Sequence, residues 1–209
     1  MPFIFSDIII HLYFVMEKYM RRKNTTHEMM MGYMATALLE LMLEKDYTKI
    51  SIGEIAKKAG VDRSSYYRHF KSKEDIISFF FDMVLKESLD GYTNLSSIDF
   101  TLYIPVSYTH LNIHSIYTAF FNYKNEILLI HYANLSFLLL DVLSKRFQFS
   151  ELATQFPLTK QYELSYIIGG IYNNLIFWMS RDMKETPDEL TEISLQFRNE
   201  DSLSLLSLR

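Results

Sequence analysis

The 209-residue sequence contains no cysteine, so neither disulfide bonds nor thiolate metal sites are available to it. This composition fits a reducing compartment, and we expect a cytoplasmic protein. The apolar run at residues 8–16 is too short to cross a bilayer and is interrupted by His11, which predicts no contact with a membrane. The N-terminus also lacks the basic segment and the small-residue cleavage site of a signal peptide.

Catalytic signals are missing as well. The sequence shows no nucleophile–base motif, no glycine-rich phosphate loop and no pair of carboxylates at catalytic spacing, so we predict neither an enzyme nor a cofactor site. Three histidines, His110, His114 and His131, do not predict a metal site. A helix boundary near Asn112 should separate the first two, and no carboxylate stands at a matching spacing.

The period-two alternation typical of strands is absent, and the predicted fold class is all-α. N-terminal helices are expected from Thr25 or Thr26 to residue 44, from residue 52, from residue 63 and over 73–89. C-terminal helices are expected at 99–110, 113–122, 126–147 and 159–183, and from Pro187 onward. The first helix should bury a stripe spaced at helical intervals, made of Met30, Met34, Ala37, Leu38 and Leu41.

Charge is divided unevenly along the chain. The formal net charge is −4, yet residues 21–75 hold 11 basic and 8 acidic side chains. The rest of the chain holds 10 basic and 17 acidic side chains. A basic N-terminal third on an acidic remainder is typical of a DNA-binding domain joined to a second domain.

Residues 51–73, SIGEIAKKAGVDRSSYYRHFKSK, predict two short helices joined by a glycine turn and followed by a third helix. Ser51 and Glu54 form a capping box that starts the first helix. Gly60 occupies the left-handed position that ends it, and Asp62 can cap the next. Phe70, together with Tyr66, should anchor that second helix in the core.

The opposite face of the second helix is polar. It leaves Arg63, Ser64, Tyr67, Arg68 and His69 pointing outward, with Lys71 and Lys73 beside it. Arginine reads guanine edges in the major groove, and serine and tyrosine bond bases or phosphates. The pattern therefore predicts a DNA-binding helix-turn-helix; an ordinary corner between two helices is the alternative.

The segment I-x-E-I-A-x-x-A-G-V-x-x-x-x-x-Y-x-H-F-x-S-K-E-D resembles the N-terminal domain of the TetR family of bacterial transcriptional regulators. The resemblance is dense over residues 52–77 and looser back to Thr25. It implies a three-helix DNA-binding domain, a C-terminal helical bundle and a homodimer on a palindromic operator, with repression released by a small molecule. It also implies DNA contacts from Arg63, Ser64, Ser65, Tyr67, His69 and Lys73. Together with Ser51, Arg68 and Lys71, these are the residues that we predict to contact DNA.

Two residues depart from the family pattern. Asp62 replaces the usual serine at the start of the recognition helix, where an acid repels phosphate. Ile52 stands where many members have a threonine that touches the DNA backbone. These departures leave open an alternative function, a regulator of the same fold that acts mainly through a partner protein and binds DNA weakly.

The resemblance also divides the chain. We expect the DNA-binding domain with its connecting helix at residues 21–90, and a regulatory and dimerisation domain at residues 97–209. Residues 1–20 precede the recognisable domain, and we interpret them as the product of an upstream start codon. An extra helix packed on the C-terminal domain is the alternative.

The C-terminal domain is rich in aromatic residues, which in this family line an effector pocket. Ordinary core packing accounts for many of them, and tyrosines are the better pocket candidates because a buried hydroxyl needs a partner. The pocket residues that we predict are Tyr103, Tyr117, Phe121, Tyr132, Phe137 and Tyr172.

A glycine pair lies in the middle of the predicted 159–183 helix, where each glycine costs about 1 kcal/mol relative to alanine. Such glycines permit the close approach of a second helix; a local kink is the other interpretation. The resemblance places the dimer interface on the last two long helices. The interface residues that we predict are Tyr166, Gly169, Gly170, Asn173, Phe177, Ile193 and Phe197.

Overall fold

The computed structural model describes residues 26–89, 106–148 and 157–199, and within these ranges every regular element is helical. The first four helices are α1 (Thr26–Glu44), α2 (Ile52–Lys58), α3 (Arg63–His69) and α4 (Lys73–Leu89). A single 3₁₀ turn, Tyr47–Lys49, lies between α1 and α2. We call α1–α4 the head. The expected domain boundary near residues 91–97 and the N-terminal extension lie outside the described residues.

Five helices follow, which we call the body. They are α5 (Val106–Asn122), α6 (Lys124–Tyr132), α7 (Leu138–Leu143), α8 (Leu158–Ser180) and α9 (Pro187–Asn199). A π-helical turn, Ser144–Gln148, continues α7. The all-α prediction is confirmed.

Helix α4 joins head and body. Its sequence is apolar on most sides, and the helix is covered by α1 on the head side and by α5 and α7 on the body side. Phe81 stacks on Phe120 of α5, and Phe80 packs edge-on against Tyr123. Both phenylalanines are fully buried, and burial of each contributes about 1.5–3 kcal/mol. The head is therefore fixed to the body through one shared core.

Three expected helix boundaries in the body are wrong. The break near Asn112 does not occur, because one asparagine costs well under 1 kcal/mol in a helix and packing overrides it. The helix predicted over 126–147 instead ends at Tyr132. Asn134 adopts a left-handed φ of 60°, and the Leu135 N–H donates to the Ile130 carbonyl, which closes a Schellman turn.

Helix α8 shows the third difference. Thr159 lies inside its first turn and does not cap it, because Pro157 occupies the cap position. The C-terminal end comes at Ser180, before the expected Met183. Asp182 and Met183 have left-handed φ angles there, and the Met183 N–H donates to the Trp178 carbonyl at 2.9 Å.

Candidate nucleic-acid interface

The first helix of the helix-turn-helix forms as its local sequence predicts. The Ser51 hydroxyl accepts from the Glu54 N–H at 3.3 Å, and the Glu54 carboxylate accepts from the Ser51 N–H at 3.0 Å. This is the predicted capping box. Lys45, the residue after α1, also donates to Glu54, and with the Ser51 bonds it lowers the pKa of that carboxyl to about 2.

Gly60 sets the angle between α2 and α3. Its φ is 68°, a conformation that an L-residue side chain rarely adopts. The Val61 N–H then donates to the Ala56 carbonyl at 3.0 Å and closes the turn. This arrangement is the predicted left-handed end of the first helix.

Helix α3 separates a buried face from an exposed one. Tyr66 and Phe70 are buried as predicted, and their rings are in contact. The exposed face carries the polar side chains that point to solvent, which are Arg63, Ser64, Tyr67 and Arg68. Arg63 Nη2 donates to the Tyr67 hydroxyl at 3.1 Å, one helical turn away. The core thus fixes the orientation of a basic and aromatic surface.

Asp62 stands at the cap position of α3, but its side chain makes no capping hydrogen bond. The expectation that Asp62 caps this helix through its carboxylate is therefore wrong. The side chain is exposed, so its charge lies at the end of α3 that would enter a DNA groove.

Ser65 does not belong to the exposed set. Ser65 is only 7% exposed and lies on the same side of α3 as Tyr66. The implied DNA contact from Ser65 conflicts with this placement, because a hydroxyl facing the core cannot reach a phosphate or a base edge. Ser51 is exposed, but its hydroxyl is already occupied by the capping box.

Lys73 is also placed differently from the expectation. Its ammonium donates to the carbonyls of Tyr47 and Ile50 at 2.9 and 2.8 Å, and lies 4.3 Å from the Tyr47 ring centroid. The Tyr47 hydroxyl in turn donates to Glu74 at 2.7 Å. Lys73 therefore holds the turn before α2 against the start of α4, and its ammonium is engaged within the head. Lys71, by contrast, is exposed.

His69, at the end of α3, is half-buried and pairs with a residue that the sequence did not single out. Its Nδ1 lies 2.9 Å from Nε2 of His27 in α1, and the two rings meet edge to face. Partial burial lowers the pKa of His69, and the nearby His27 and Arg68 lower it further. Because 42 residues separate the two histidines, no local pattern predicts the pair.

We expect the His69 pair to make the folded protein less stable in mild acid. A lowered pKa means that the unfolded chain binds the proton more readily, so stability is full above about pH 6.5 and falls as the pH drops below it. The melting temperature should therefore fall between pH 7.5 and 5.5 by more in wild type than in His69→Gln. Equal pH dependence in the two proteins would contradict the assignment.

The predicted pocket residues that the structure describes differ widely in their exposure. Tyr132 and Phe137 are 62% and 59% exposed, and Tyr103 lies outside the described residues. Tyr117 is buried, and its hydroxyl is 2.8 Å from the Ser194 hydroxyl of α9. The half-buried Phe121 stacks on Trp178, and Tyr172 is half-buried on α8. Tyr132 and Phe137 are therefore too exposed to line an enclosed pocket, and the pocket itself stays a prediction.

His110 and His114 lie on one helix, α5, so the helix boundary expected between them does not exist. The His114 Nε2 is 2.8 Å from the Asp188 carboxylate, which ties α5 to α9. Within the described residues, no group of three histidine or carboxylate side chains is arranged to hold a metal ion. In the same part of the chain, no helix is long and apolar enough to cross a membrane.

The predicted interface residues of α8 are exposed, except for the half-buried Gly169. Tyr166 and Phe177 are 84% and 66% exposed, and Gly170 and Asn173 are open to solvent. Ile193 of α9 is also exposed, whereas the side chain of Phe197 lies outside the described residues. Tyr162 extends this surface by one turn. We call the stripe Tyr162, Tyr166, Gly170, Asn173 and Phe177 the α8 face.

Residues 36–78, from the middle of α1 to the first turns of α4, match the family model of the bacterial regulatory proteins, tetR family. Over 54 residues the chain is 34% identical to the HTH-type transcriptional regulator EthR of Mycolicibacterium smegmatis (strain ATCC 700084 / mc(2)155). That match covers 26% of this chain and about a quarter of the relative's length. With its capping box, glycine turn and exposed basic helix in place, this part of the chain is a DNA-binding domain of the TetR type found in bacterial transcriptional regulators.

Proposed function

We propose that the protein is a homodimeric transcriptional regulator that reads a palindromic operator through α3. The observation that carries the proposal is the exposed face of α3. The side chains that this face presents to solvent are Arg63, Ser64, Tyr67 and Arg68. Tyr66 and Phe70 are buried and anchor the opposite side of the helix in the core. A rigid helix with this chemistry suits base readout in a major groove.

Two protomers are needed because one such helix covers only a few base pairs. The α8 face supports an association of this kind. It exposes Tyr162, Tyr166 and Phe177 on one stripe, and large exposed apolar surfaces in soluble proteins mark interaction sites. Among the described residues, no atom would lie within 4 Å of a Cβ added at Gly169 or Gly170. Space for a neighbouring helix is therefore available at that point.

Control by a small molecule is the part of the proposal that rests on the family resemblance. The body is the part of the chain that would take an effector, and release of a repressor is the expected direction. A hollow of about 640 Å³ lies between head and body, lined in part by Phe79, Asp82 and Arg146. It does not include the predicted pocket residues.

Selection from a random duplex library, followed by gel shift at two salt concentrations, tests the proposal. We expect enrichment of a palindrome, two protomers per duplex, and binding that weakens steeply with salt because Arg68 and Lys71 contact phosphates. A folded protein that enriches no sequence would contradict the proposal.

The alternative is a regulator that works mainly through a partner protein. Asp62 favours this alternative, because its carboxylate lies at the start of α3, makes no capping hydrogen bond there and repels phosphate. Replacing Asp62 with serine separates the two functions. The substitution should strengthen operator binding if DNA is the target, and it should leave partner capture unchanged if a protein is the target.

A further inference from the structure

We propose that Tyr67 positions Arg63 for a guanine, and that this pair sets the preference for a G·C base pair at one position of each half-site. The proposal rests on the proposed function, since it concerns how the same helix reads DNA. It starts from the bond in which Arg63 Nη2 donates to the Tyr67 hydroxyl at 3.1 Å. The guanidinium carbon also lies 5.7 Å from the Tyr67 ring centroid.

The tyrosine ring is itself held in place. It meets the ring of Tyr66 edge to face, with centroids 5.2 Å apart and planes at 90°. Tyr66 is fully buried and packs against Phe70. A chain of contacts therefore runs from the core through Tyr66 and Tyr67 to the Arg63 guanidinium. An arginine side chain free in solvent has no such support and loses rotamer freedom when it binds.

The chemistry of the pair favours guanine. The guanidinium has five N–H donors in a fixed plane and no acceptor. One donor serves the Tyr67 hydroxyl, and the others are available to a base edge. Guanine presents two adjacent acceptors, O6 and N7, in the major groove, whereas adenine places an N6 donor beside N7. A guanidinium held in one orientation therefore matches guanine and conflicts with adenine.

A direct contact between Tyr67 and a DNA phosphate is a second role, and the experiment must distinguish it from the positioning of Arg63. The Tyr67 hydroxyl accepts from Arg63, so its own proton is available to a phosphate. The two roles differ in their dependence on Arg63. A positioning effect disappears when Arg63 is absent, while a phosphate contact persists.

The test uses the full chain in four forms: wild type, Arg63→Ala, Tyr67→Phe and the double variant. Phenylalanine keeps the ring and its contact with Tyr66 but removes the hydroxyl. Each protein is titrated with the selected operator and with a copy in which the guanine sensitive to Arg63→Ala is replaced by adenine. Tyr33→Phe is the matched control, since Tyr33 is an exposed tyrosine of α1 outside this pair.

We expect wild type and Tyr33→Phe to prefer guanine by about 5- to 150-fold, the range of one good bidentate contact. Arg63→Ala should abolish the preference, and Tyr67→Phe should reduce it several-fold with unchanged binding to random DNA. In the Arg63→Ala background, Tyr67→Phe should have no further effect.

An equal cost of Tyr67→Phe with and without Arg63 would overturn the inference and assign Tyr67 to the phosphate. Tighter operator binding by Tyr67→Phe would overturn it too, since the pair would then hold Arg63 away from DNA. In either case sequence-selective binding by the wild type would leave the proposed function standing. A wild type that enriches no sequence would instead overturn both.

Discussion

Replacing Gly170 with leucine should convert the protein to a monomer that keeps its helices and binds its operator about 10²–10⁴-fold more weakly, the range lost when two linked sites become one. Gly170 lies at the centre of the α8 face, between Tyr166 and Phe177. In the proposed homodimer, a leucine there would separate two helices that approach closely across a two-fold axis.

The same substitution should not harm the folded protomer. In the part of the chain that the structure describes, no atom lies within 4 Å of a Cβ added at position 170, so the added side chain has room there. Leucine is also a better helix former than glycine by nearly 1 kcal/mol. Any loss of association therefore comes from contact with a second copy, not from local unfolding.

Sedimentation measures the outcome directly, and circular dichroism checks that helicity is kept. Gly170→Ala is the matched control, because it adds the same helix propensity with only one methyl group. We expect Gly170→Ala to be a dimer with a higher melting temperature. A dimeric Gly170→Leu protein would show that the interface lies elsewhere.

The features that the sequence predicted correctly depend on residues a few positions apart. The Ser51–Glu54 capping box forms, and Gly60 takes its left-handed conformation. Each of these signals has one strong local cause, since an oxygen three residues away satisfies a free N–H at a helix start.

The features that the sequence did not predict depend on weak signals or on distant residues. Asn134, and Asp182 with Met183, end α6 and α8 with left-handed φ angles, although glycine is the usual residue there. The His27–His69 pair joins residues 42 positions apart, and Lys73 binds a carbonyl 26 positions before it. Local sequence patterns carry no information about contacts between residues this far apart in the sequence.

The structure and the family resemblance assign Lys73 different roles, a contact inside the head and a phosphate contact. We expect Lys73→Met to destabilise the protein by about 2–4 kcal/mol. The substitution removes two charge-assisted hydrogen bonds, to the carbonyls of Tyr47 and Ile50, and the contact with the Tyr47 ring. For a protein of this size the melting temperature should drop by about 4–15 °C. Urea denaturation gives the free energy directly.

The salt dependence of DNA binding separates the two roles of this lysine. A phosphate contact adds about 0.9 to the slope of log affinity against log salt, so losing one per protomer lowers the slope of a dimer by about 2. We expect Lys73→Met to keep the wild-type slope, because its ammonium is engaged inside the head. Lys71→Met is the matched control; Lys71 is exposed two residues earlier, so its loss should lower the slope and spare the stability. A lower slope with normal stability for Lys73→Met would contradict this assignment. It would show that Lys73 contacts a phosphate, as the family resemblance implies.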